Sequence, residues 1–218
     1  MEYDFLKWLG HASFVVESGG KRIFVDPFRL PKNAGYADII FITHPHFDHL
    51  SEADITGIAD GQTHFVAPED AAKKLDYKNI TLVGPGDKGA VLGIDFEAVS
   101  AYNVKPERQN FHPKSSGWVG YIITVEGKRI YHPGDTDLIE EMKGIDVDLA
   151  LIPCGGKYVM DIDDAIRATG IIKAGHYAPI HYKAIVGKDG AAAIEKKFRE
   201  SVRNSIILKE EGEAYYSF

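Results

Sequence analysis

A dense block of metal-binding side chains directly after a buried strand constrains this chain more than any other feature. Residues 39–43 form an apolar, β-rich run that predicts a strand, and residues 44–49 follow it as His-Pro-His-Phe-Asp-His. Side chains two apart in an extended segment point the same way, so the first two histidines can bind one ion. The aspartate and the last histidine lie beyond the turn toward a predicted helix and can face a second ion.

The donor types in this block favour a catalytic metal over a structural one. Structural zinc sites are usually closed and dominated by cysteine, whereas Cys154 is the only cysteine of the chain. Imidazole and carboxylate ligands are the mixture expected of a site with an open, water-bearing position. One zinc that only braces a loop is the alternative.

The amino-acid composition indicates which kind of protein this is and which partners are improbable for it. The chain has 218 residues, 44% of them apolar and 26% charged, which is ordinary for a globular protein. The formal charge of -7 argues against a protein whose main task is to neutralise a nucleic-acid backbone. We expect a cytoplasmic protein without membrane contact, because the acidic N-terminus does not resemble a signal peptide, no apolar run could span a bilayer and one cysteine suits a reducing compartment.

An internal similarity relates the two halves of the chain. Residues 14–24 resemble residues 121–131, and each segment reads as a β-hairpin that leads within a few residues to an aspartate, Asp26 or Asp135. One interpretation is that unrelated hairpins converge on Gly-Lys turns. The other is a single domain over residues 1–218 that consists of two similar αβ halves, with a site where they meet.

Strands outnumber helices in the predicted pattern. Strands are predicted at residues 3–8, 12–18, 22–26, 39–43, 63–67, 80–84, 95–101, 118–125, 128–133, 148–153, 176–181, 205–209 and 213–217, and helices at 51–59, 69–76, 137–143, 161–170 and 190–203. Hairpins precede the first helix, which favours mixed sheets flanked by helices over a doubly wound parallel sheet. We therefore predict an α/β fold with a four-layer sandwich of two mixed β-sheets between helices.

Residues 43–49 resemble the signature of the metallo-β-lactamase superfamily. The other superfamily motifs follow in order, with Asp26 after a strand, His112 in Asn-Phe-His-Pro, Asp135 in Gly-Asp-Thr and His181 in Pro-Ile-His. The resemblance covers nearly the whole chain. It implies an αββα sandwich with a one- or two-metal site at the shared edge of two similar halves.

The resemblance also implies a role for each motif residue. It implies a first metal on His44, His46 and His112, a second on Asp48, His49 and His181, and Asp135 bridging both. Asp26 and Thr43 are expected beside the ligands, where Asp26 would hold a ligand histidine by a hydrogen bond. The implied cofactors are two divalent cations, zinc first, with manganese, nickel or iron as alternatives.

Within the superfamily, the chain is similar to small metal-dependent hydrolases that include ascorbate-6-phosphate lactonase. Residues 9–12, 110–114 and 155–160 carry this closer likeness. We expect a hydrolase that uses a metal-bound hydroxide, oriented by Asp48, on a small ester, lactone or phosphoester. His11, Lys157 and Tyr158 are the candidate substrate-binding residues.

Three other functions stay open at this point. An iron-dependent oxygen or sulfur oxidoreductase could use the same ligand types, although no flavin domain is appended. An RNA or phosphodiester nuclease is less favoured, because the insert expected of the tRNA-processing nucleases is missing. A metal-binding protein without catalytic activity is the third.

Overall fold

Two six-stranded mixed β-sheets pack face to face in the computed structural model, which describes residues 2–212. The first sheet contains, in spatial order, β1 Leu6–Gly10, β2 Ser13–Ser18, β3 Lys21–Val25, β4 Ile39–Phe41, β5 His64–Ala67 and β6 Ile80–Leu82. The second contains, again from one edge to the other, β7 Lys88–Val91, β8 Ile94–Ser100, β9 Val119–Val125, β10 Lys128–His132, β11 Asp146–Pro153 and β12 Lys173–Ile180. Each sheet is therefore formed by one half of the chain.

Helices cover the outer faces of both sheets. The α-helices are α1 Glu52–Ile58, α2 Glu69–Ala72, α3 Ile162–Thr169 and α4 Lys183–Ser201, and short 3-10 helices span Lys114–Ser116 and Glu140–Gly144. Helices α1 and α2 pack on the first sheet, whereas α3 and α4 pack on the second. The predicted α/β sandwich with two mixed sheets between helices is confirmed. None of the helices in the described part of the chain is long and apolar enough to cross a membrane.

The alternation of side chains along β4 explains the layers. Ile39 and Phe41 point into the core between the sheets, while Ile40 points to the opposite face, against α1 and α2. The ring of Phe41 meets the rings of Phe96 and Tyr121 on the second sheet at centroid distances of 5.6 and 5.0 Å. All positions of the strand are therefore apolar because both of its faces are buried.

The two similar segments of the sequence are hairpins in equivalent positions. β2 pairs antiparallel with β3, and β9 pairs antiparallel with β10. The second strand of each hairpin then pairs in parallel with the next strand, β4 or β11. Because β1, β3 and β4 run in one direction, their carboxyl ends lie at the same edge of the first sheet, as those of β10, β11 and β12 do in the second.

Several predicted elements differ from the structure or lie beyond it, among them the helix predicted at 69–76, which ends at Ala72. The strand predicted at 205–209 is wrong: residues 205–210 pass from β12 to β1 and form isolated bridges there, Ser205 with Tyr177 and Glu210 with Trp8, instead of a ladder. The helix predicted at 137–143 is a 3-10 helix, Glu140–Gly144. α4 begins before the predicted 190 and is broken at Gly187, where φ is 69°. The strand predicted at 213–217 lies outside the described residues.

Candidate metal centre

The predicted metal ligands lie where the carboxyl ends of strands from both sheets meet. The segment 44–49 follows β4, Asp135 follows β10 and His181 directly follows β12. His112 comes from the long connection between β8 and β9, and His11 directly follows β1. Because the strand ends share one edge of the sandwich, residues that are far apart in sequence come together there.

Three of these side chains form what we call the three-histidine group: His44, His46 and His112. One ring nitrogen of each lies within 4.8 Å of the others. Nε2 of His44 is 3.0 Å from Nδ1 of His46, and the ring of His112 is centred 5.0 and 4.9 Å from the rings of His44 and His46. Trp118 packs against all three rings at 4.9 to 5.7 Å. The two histidines of the sequence block thus share one site with the distant third.

A second set, which we call the mixed group, contains a carboxylate. It consists of Asp48, His49 and His181 together with His11, and one donor atom of each lies within 4.8 Å of the others. Nε2 of His11 is 3.0 Å from Oδ2 of Asp48, and the rings of His11 and His181 are centred 3.7 Å apart. The sequence places His11 among the substrate-binding candidates, whereas the structure brings it to the metal-ligand candidates. Its position directly after a strand, like that of His181, is the signal that could have found it.

Asp135 lies between the two groups. Its Oδ1 is 3.2 Å from Nε2 of His49 and 3.1 Å from Nε2 of His181, both of the mixed group. Its Oδ2 is 3.4 Å from Nε2 of His112, of the three-histidine group. A single carboxylate therefore faces donor atoms of both groups.

Several buried donor atoms at this point lack hydrogen-bond partners, which fits a bound cation. Nε2 of His49, His112 and His181 lies within 3.4 Å of the Asp135 carboxylate, but among residues 2–212 neither these nitrogens nor Oδ1 of Asp135 has a partner in hydrogen-bond geometry. Unpaired buried polar groups are costly, so such atoms are expected to have a bound partner or a functional role. Imidazole nitrogens and carboxylate oxygens that converge in this way are suitable ligands for zinc and similar ions.

Asp26 orients the ring of His49 through the ring nitrogen that does not face the metal site. Its Oδ2 lies 2.7 Å from Nδ1 of His49 and accepts a hydrogen bond of 2.7 Å from Oγ1 of Thr43. Its Oδ1 accepts a 2.8 Å hydrogen bond from the backbone N–H of Thr43. When Nδ1 of His49 donates to Asp26, the lone pair of Nε2 faces the metal site. In the same way, Oδ1 of Asn103 lies 2.7 Å from Nδ1 of His112.

The electrostatics of the two groups differ. Burial lowers the pKa of His112 to about 4 and holds that of His44 well below its usual range, so the three-histidine group is neutral at pH 7. Burial alone would also lower the pKa of His49, but Asp135 and Asp26 raise it well above the usual value. Burial would raise the pKa of Asp135, yet His181 and His49 hold it well below its ordinary range. His49 of the mixed group is therefore protonated at pH 7 and faces the ionised carboxylate of Asp135.

A buried arginine fixes the connection that carries His112. Arg108 is 3% exposed, and its Nε lies 2.7 Å from Oδ1 of Asp137. Its Nη1 donates a 2.9 Å hydrogen bond to the carbonyl of Gly156, and Nδ2 of Asn103 donates one of 3.1 Å to the carbonyl of Tyr158. These contacts tie the His112 segment to the glycine loop. Sequence analysis missed Arg108, because a basic residue in a polar loop shows no sign of its burial.

A cavity of about 280 Å³ opens beside the ligand candidates. Its walls are His46, Asp48, His112 and Asp135 on one side and Phe47, Phe111, Tyr158 and Ile185 on the other. Of the predicted substrate-binding residues, Tyr158 lines this cavity. Lys157 is exposed and does not line it; its Nζ lies 4.9 Å from the centre of the Tyr158 ring. Phe47, Phe111 and Ile185 were not predicted, although the first two flank motif histidines.

Comparisons with known proteins agree with this geometry. Residues 5–181 match the family described as the beta-lactamase superfamily domain. A UPF0173 metal-dependent hydrolase of Alkaliphilus metalliredigens is 30% identical over 98% of this chain and 99% of its own length. Another, of Shouchella clausii, is 33% identical over 79% of this chain and 83% of its own. The crystal structure of a metal-dependent hydrolase from Parabacteroides distasonis superposes with a TM-score of 0.82 at 31% identity, over 93% of this chain and 91% of that one.

Proposed function

This chain belongs to the β-lactamase superfamily and is a metal-dependent hydrolase within it, and we propose that it binds two divalent cations and hydrolyses a small ester, lactone or phosphoester. One observation carries the proposal of two cations: the carboxylate of Asp135 lies within 3.4 Å of imidazole nitrogens from both ligand groups. Zinc is the first candidate because it suits imidazole and carboxylate ligands, with manganese, nickel or iron as alternatives.

Each group supplies the ligands of one cation. The proposed ligands are His44, His46 and His112 for the first cation, Asp48, His49 and His181 for the second, and Asp135 for both. His11 contributes through its 3.0 Å contact with Asp48, which fixes the orientation of that carboxylate. Asp26 and Thr43 hold His49 and His44 from the side away from the cations.

The side chains around the cavity have distinct tasks in hydrolysis. Bound divalent cations would lower the pKa of a water molecule far below its value in bulk water, toward about 7, and would polarise the scissile carbonyl or phosphoryl oxygen. Asp48 lines the cavity and remains ionised, because the hydrogen bond from His11 and the charge of His49 outweigh the effect of burial on its pKa. Its carboxylate can therefore orient the attacking water.

The only thiol does not take part as a nucleophile. Cys154 is 1% exposed, and its Sγ lies 3.7 Å from the carbonyl oxygen of Ile180. Burial raises the pKa of this thiol far above its ordinary value, so the thiol stays protonated at neutral pH. A mechanism that activates water directly is consistent with this arrangement.

The test combines metal analysis with a substrate panel. Protein purified without added metal or chelator should contain two equivalents of zinc, manganese or nickel per chain and should hydrolyse a member of an ester, lactone and phosphodiester panel. Asp48→Asn and His181→Gln should each reduce turnover by orders of magnitude while the circular dichroism spectrum is retained. Asp38→Asn is the matched control, because its carboxylate accepts a hydrogen bond from the backbone N–H of Arg22, away from the site. Full activity in both site variants would contradict the proposal.

The same measurements separate the other candidate functions. One iron per chain would favour oxygen or sulfur chemistry, and tightly bound metal without turnover would favour a protein that only binds metal. The lactone arm of the panel also tests the predicted similarity to ascorbate-6-phosphate lactonase.

A further inference from the structure

The cavity walls that do not bind metal are apolar and largely aromatic. Phe47 is 66% exposed and Phe111 39%, which is unusual for such large apolar side chains beside a polar centre. The ring of Phe111 meets that of Tyr158 edge-on at 4.9 Å, and the ring of Phe47 meets that of Phe28 at 5.9 Å. Ile185 completes this wall. An apolar group bound here would remove exposed aromatic surface from water.

Positive charge is missing from the same walls. Within residues 2–212, no lysine or arginine lines the cavity. Three cationic side chains of the surrounding loops pair with acidic groups: Lys114 with Glu141 at 2.9 Å, Lys105 with Asp161 at 2.8 Å and Arg108 with Asp137 at 2.7 Å. The exposed Lys157 lies over the Tyr158 ring, outside the cavity wall. A phosphoester carries anionic oxygens that are best recognised by arginine or lysine. Apart from the proposed cations, the walls therefore offer no cationic side chain to an anionic substrate, and they favour an uncharged one.

We infer that the cavity selects an uncharged carboxylic ester or lactone that carries an apolar acyl or alkyl chain. This inference rests on the proposed function and narrows its substrate class. A volume of about 280 Å³ lies at the lower end of the roughly 300–1,000 Å³ of small-molecule sites, which suits a short or medium chain.

The reaction is an ordinary hydrolysis and needs no further reactant. The oxygen of water forms a bond to the carbonyl carbon, and the bond between that carbon and the alcohol oxygen breaks. One proton of the water goes to the alcohol oxygen, and the other goes to solvent as the product carboxylate forms. A lactone gives a single hydroxy acid, whose apolar chain stays against Phe47 and Phe111 until release.

The experiment compares substrates of graded chain length on protein that carries its metals. The substrates are 4-nitrophenyl acetate, butyrate and hexanoate, γ-butyrolactone and γ-octalactone, and bis(4-nitrophenyl) phosphate. We expect kcat/KM to rise by about fourfold for each methylene that the cavity buries, which follows from the usual transfer free energy of a methylene. The phosphodiester should be the poorest substrate.

Two variants and a control assign the effect to the aromatic wall. Phe111→Ala and Phe47→Ala should lose more activity toward the hexanoate than toward the acetate. Leu82→Ala is the control, because Leu82 is 59% exposed on β6 and does not line the cavity. An independent readout is the dissociation constant of 2-nonanone, an ester isostere that cannot be hydrolysed, measured by ligand-observed NMR on metal-free protein. Phe111→Ala should weaken this binding and Leu82→Ala should not.

The outcomes distinguish this inference from the proposed function. Hydrolysis that favours the phosphodiester, or that is independent of chain length, overturns the inference and leaves the metal-dependent hydrolase intact. Equal binding of 2-nonanone by the wild type and Phe111→Ala also overturns it. If the metal-loaded protein hydrolyses no member of the panel, the proposed function fails and the inference fails with it.

Discussion

The two ligand groups that meet at Asp135 are built in different ways. Two members of the three-histidine group come from one loop, and none of its members has a positive φ. The mixed group draws on three separate segments, and two of its members, His11 and His181, have φ of 51° and 55°. Asp26, which holds His49, has φ of 48°. Each such residue costs on the order of 1–3 kcal/mol and persists only where the surroundings determine it. Two of the three members of the three-histidine group are therefore already together in local sequence, whereas only two of the four members of the mixed group are, and the fold must bring the others to them.

The two groups also differ in the protonation state of their histidines. The members of the three-histidine group are neutral at pH 7, because burial lowers the pKa of each ring. In the mixed group, His49 lies between the carboxylates of Asp135 and Asp26, which raise its pKa. A cation that enters the first group meets free lone pairs, whereas one that enters the second must displace a proton. The four predictions that follow test whether these groups act as separate sites joined by one carboxylate.

The largest effect is expected from Asp135→Asn, because this carboxylate faces nitrogens of both groups and forms a cluster with His44 and His49 where the groups meet. The amide keeps the shape of the carboxylate but removes the negative charge that both cations would share. We expect fewer than two metal equivalents per chain, by element-resolved analysis, and a loss of kcat by orders of magnitude. Asp146→Asn, on the exposed start of β11, is the control. Two retained equivalents with normal turnover would show that Asp135 does not join the groups.

The next effect should separate the groups from each other. His112→Gln removes a donor from the three-histidine group, and His181→Gln removes one from the mixed group. We expect each variant to retain one metal equivalent and to lose most of its activity, since hydrolysis uses both cations. Metal content during stepwise chelator titration measures this. If either substitution removes both equivalents, the two groups form one indivisible site.

The fold could be predicted from the sequence where the pattern is local. The unbroken apolar run in β4 and the two similar hairpins are visible without a structure, and the predicted mixed sheets are confirmed. β7 was missed because Lys88-Gly89-Ala90-Val91 is exposed at three of its four positions and shows no apolar alternation. The segment 205–209 has the composition of a strand, but it lies between β12 and β1 and forms isolated bridges instead of a ladder. Composition does not encode that position.

Those residues of the candidate site that belong to short sequence motifs could be predicted from the sequence. The segment 44–49 specifies its own spacing, whereas the role of His11 depends on the place where β1 ends relative to Asp48. Arg108 acts through contacts with residues about 30 and 50 positions away, Asp137 and Gly156. The aromatic wall likewise combines residues from both halves of the chain. Such long-range relations appear only when the two sheets are packed.

A smaller effect is expected from Asp26→Asn, which changes mainly the support of the mixed group. Asp26 contacts Nδ1 of His49 directly at 2.7 Å, whereas it reaches His44 only through the hydroxyl of Thr43. Loss of such a supporting carboxylate typically weakens metal affinity by about 10–100-fold. Competition with a fluorescent chelator should show this loss for one equivalent and a smaller loss for the other. Asp38→Asn is again the control, and equal weakening of both equivalents contradicts the separation of the groups.

The smallest and most specific effect is the release of a proton as the second cation binds. Since the folded, metal-free protein holds the pKa of His49 well above its usual value, this ring is protonated at pH 7, and Nε2 must lose its proton to become a ligand. Affinity at the mixed group should therefore rise with pH, by about tenfold per unit below the raised pKa. Affinity at the three-histidine group should change much less near pH 7, because burial lowers the pKa of all three of its rings. Calorimetric titration of metal-free protein at pH 7, in two buffers with different enthalpies of protonation, counts the protons. The His112→Gln protein, in which the mixed group is intact, should release about one proton per cation bound. The His181→Gln protein, in which the three-histidine group is intact, should release almost none. Equal release from the two variants would show that the groups do not differ in charge.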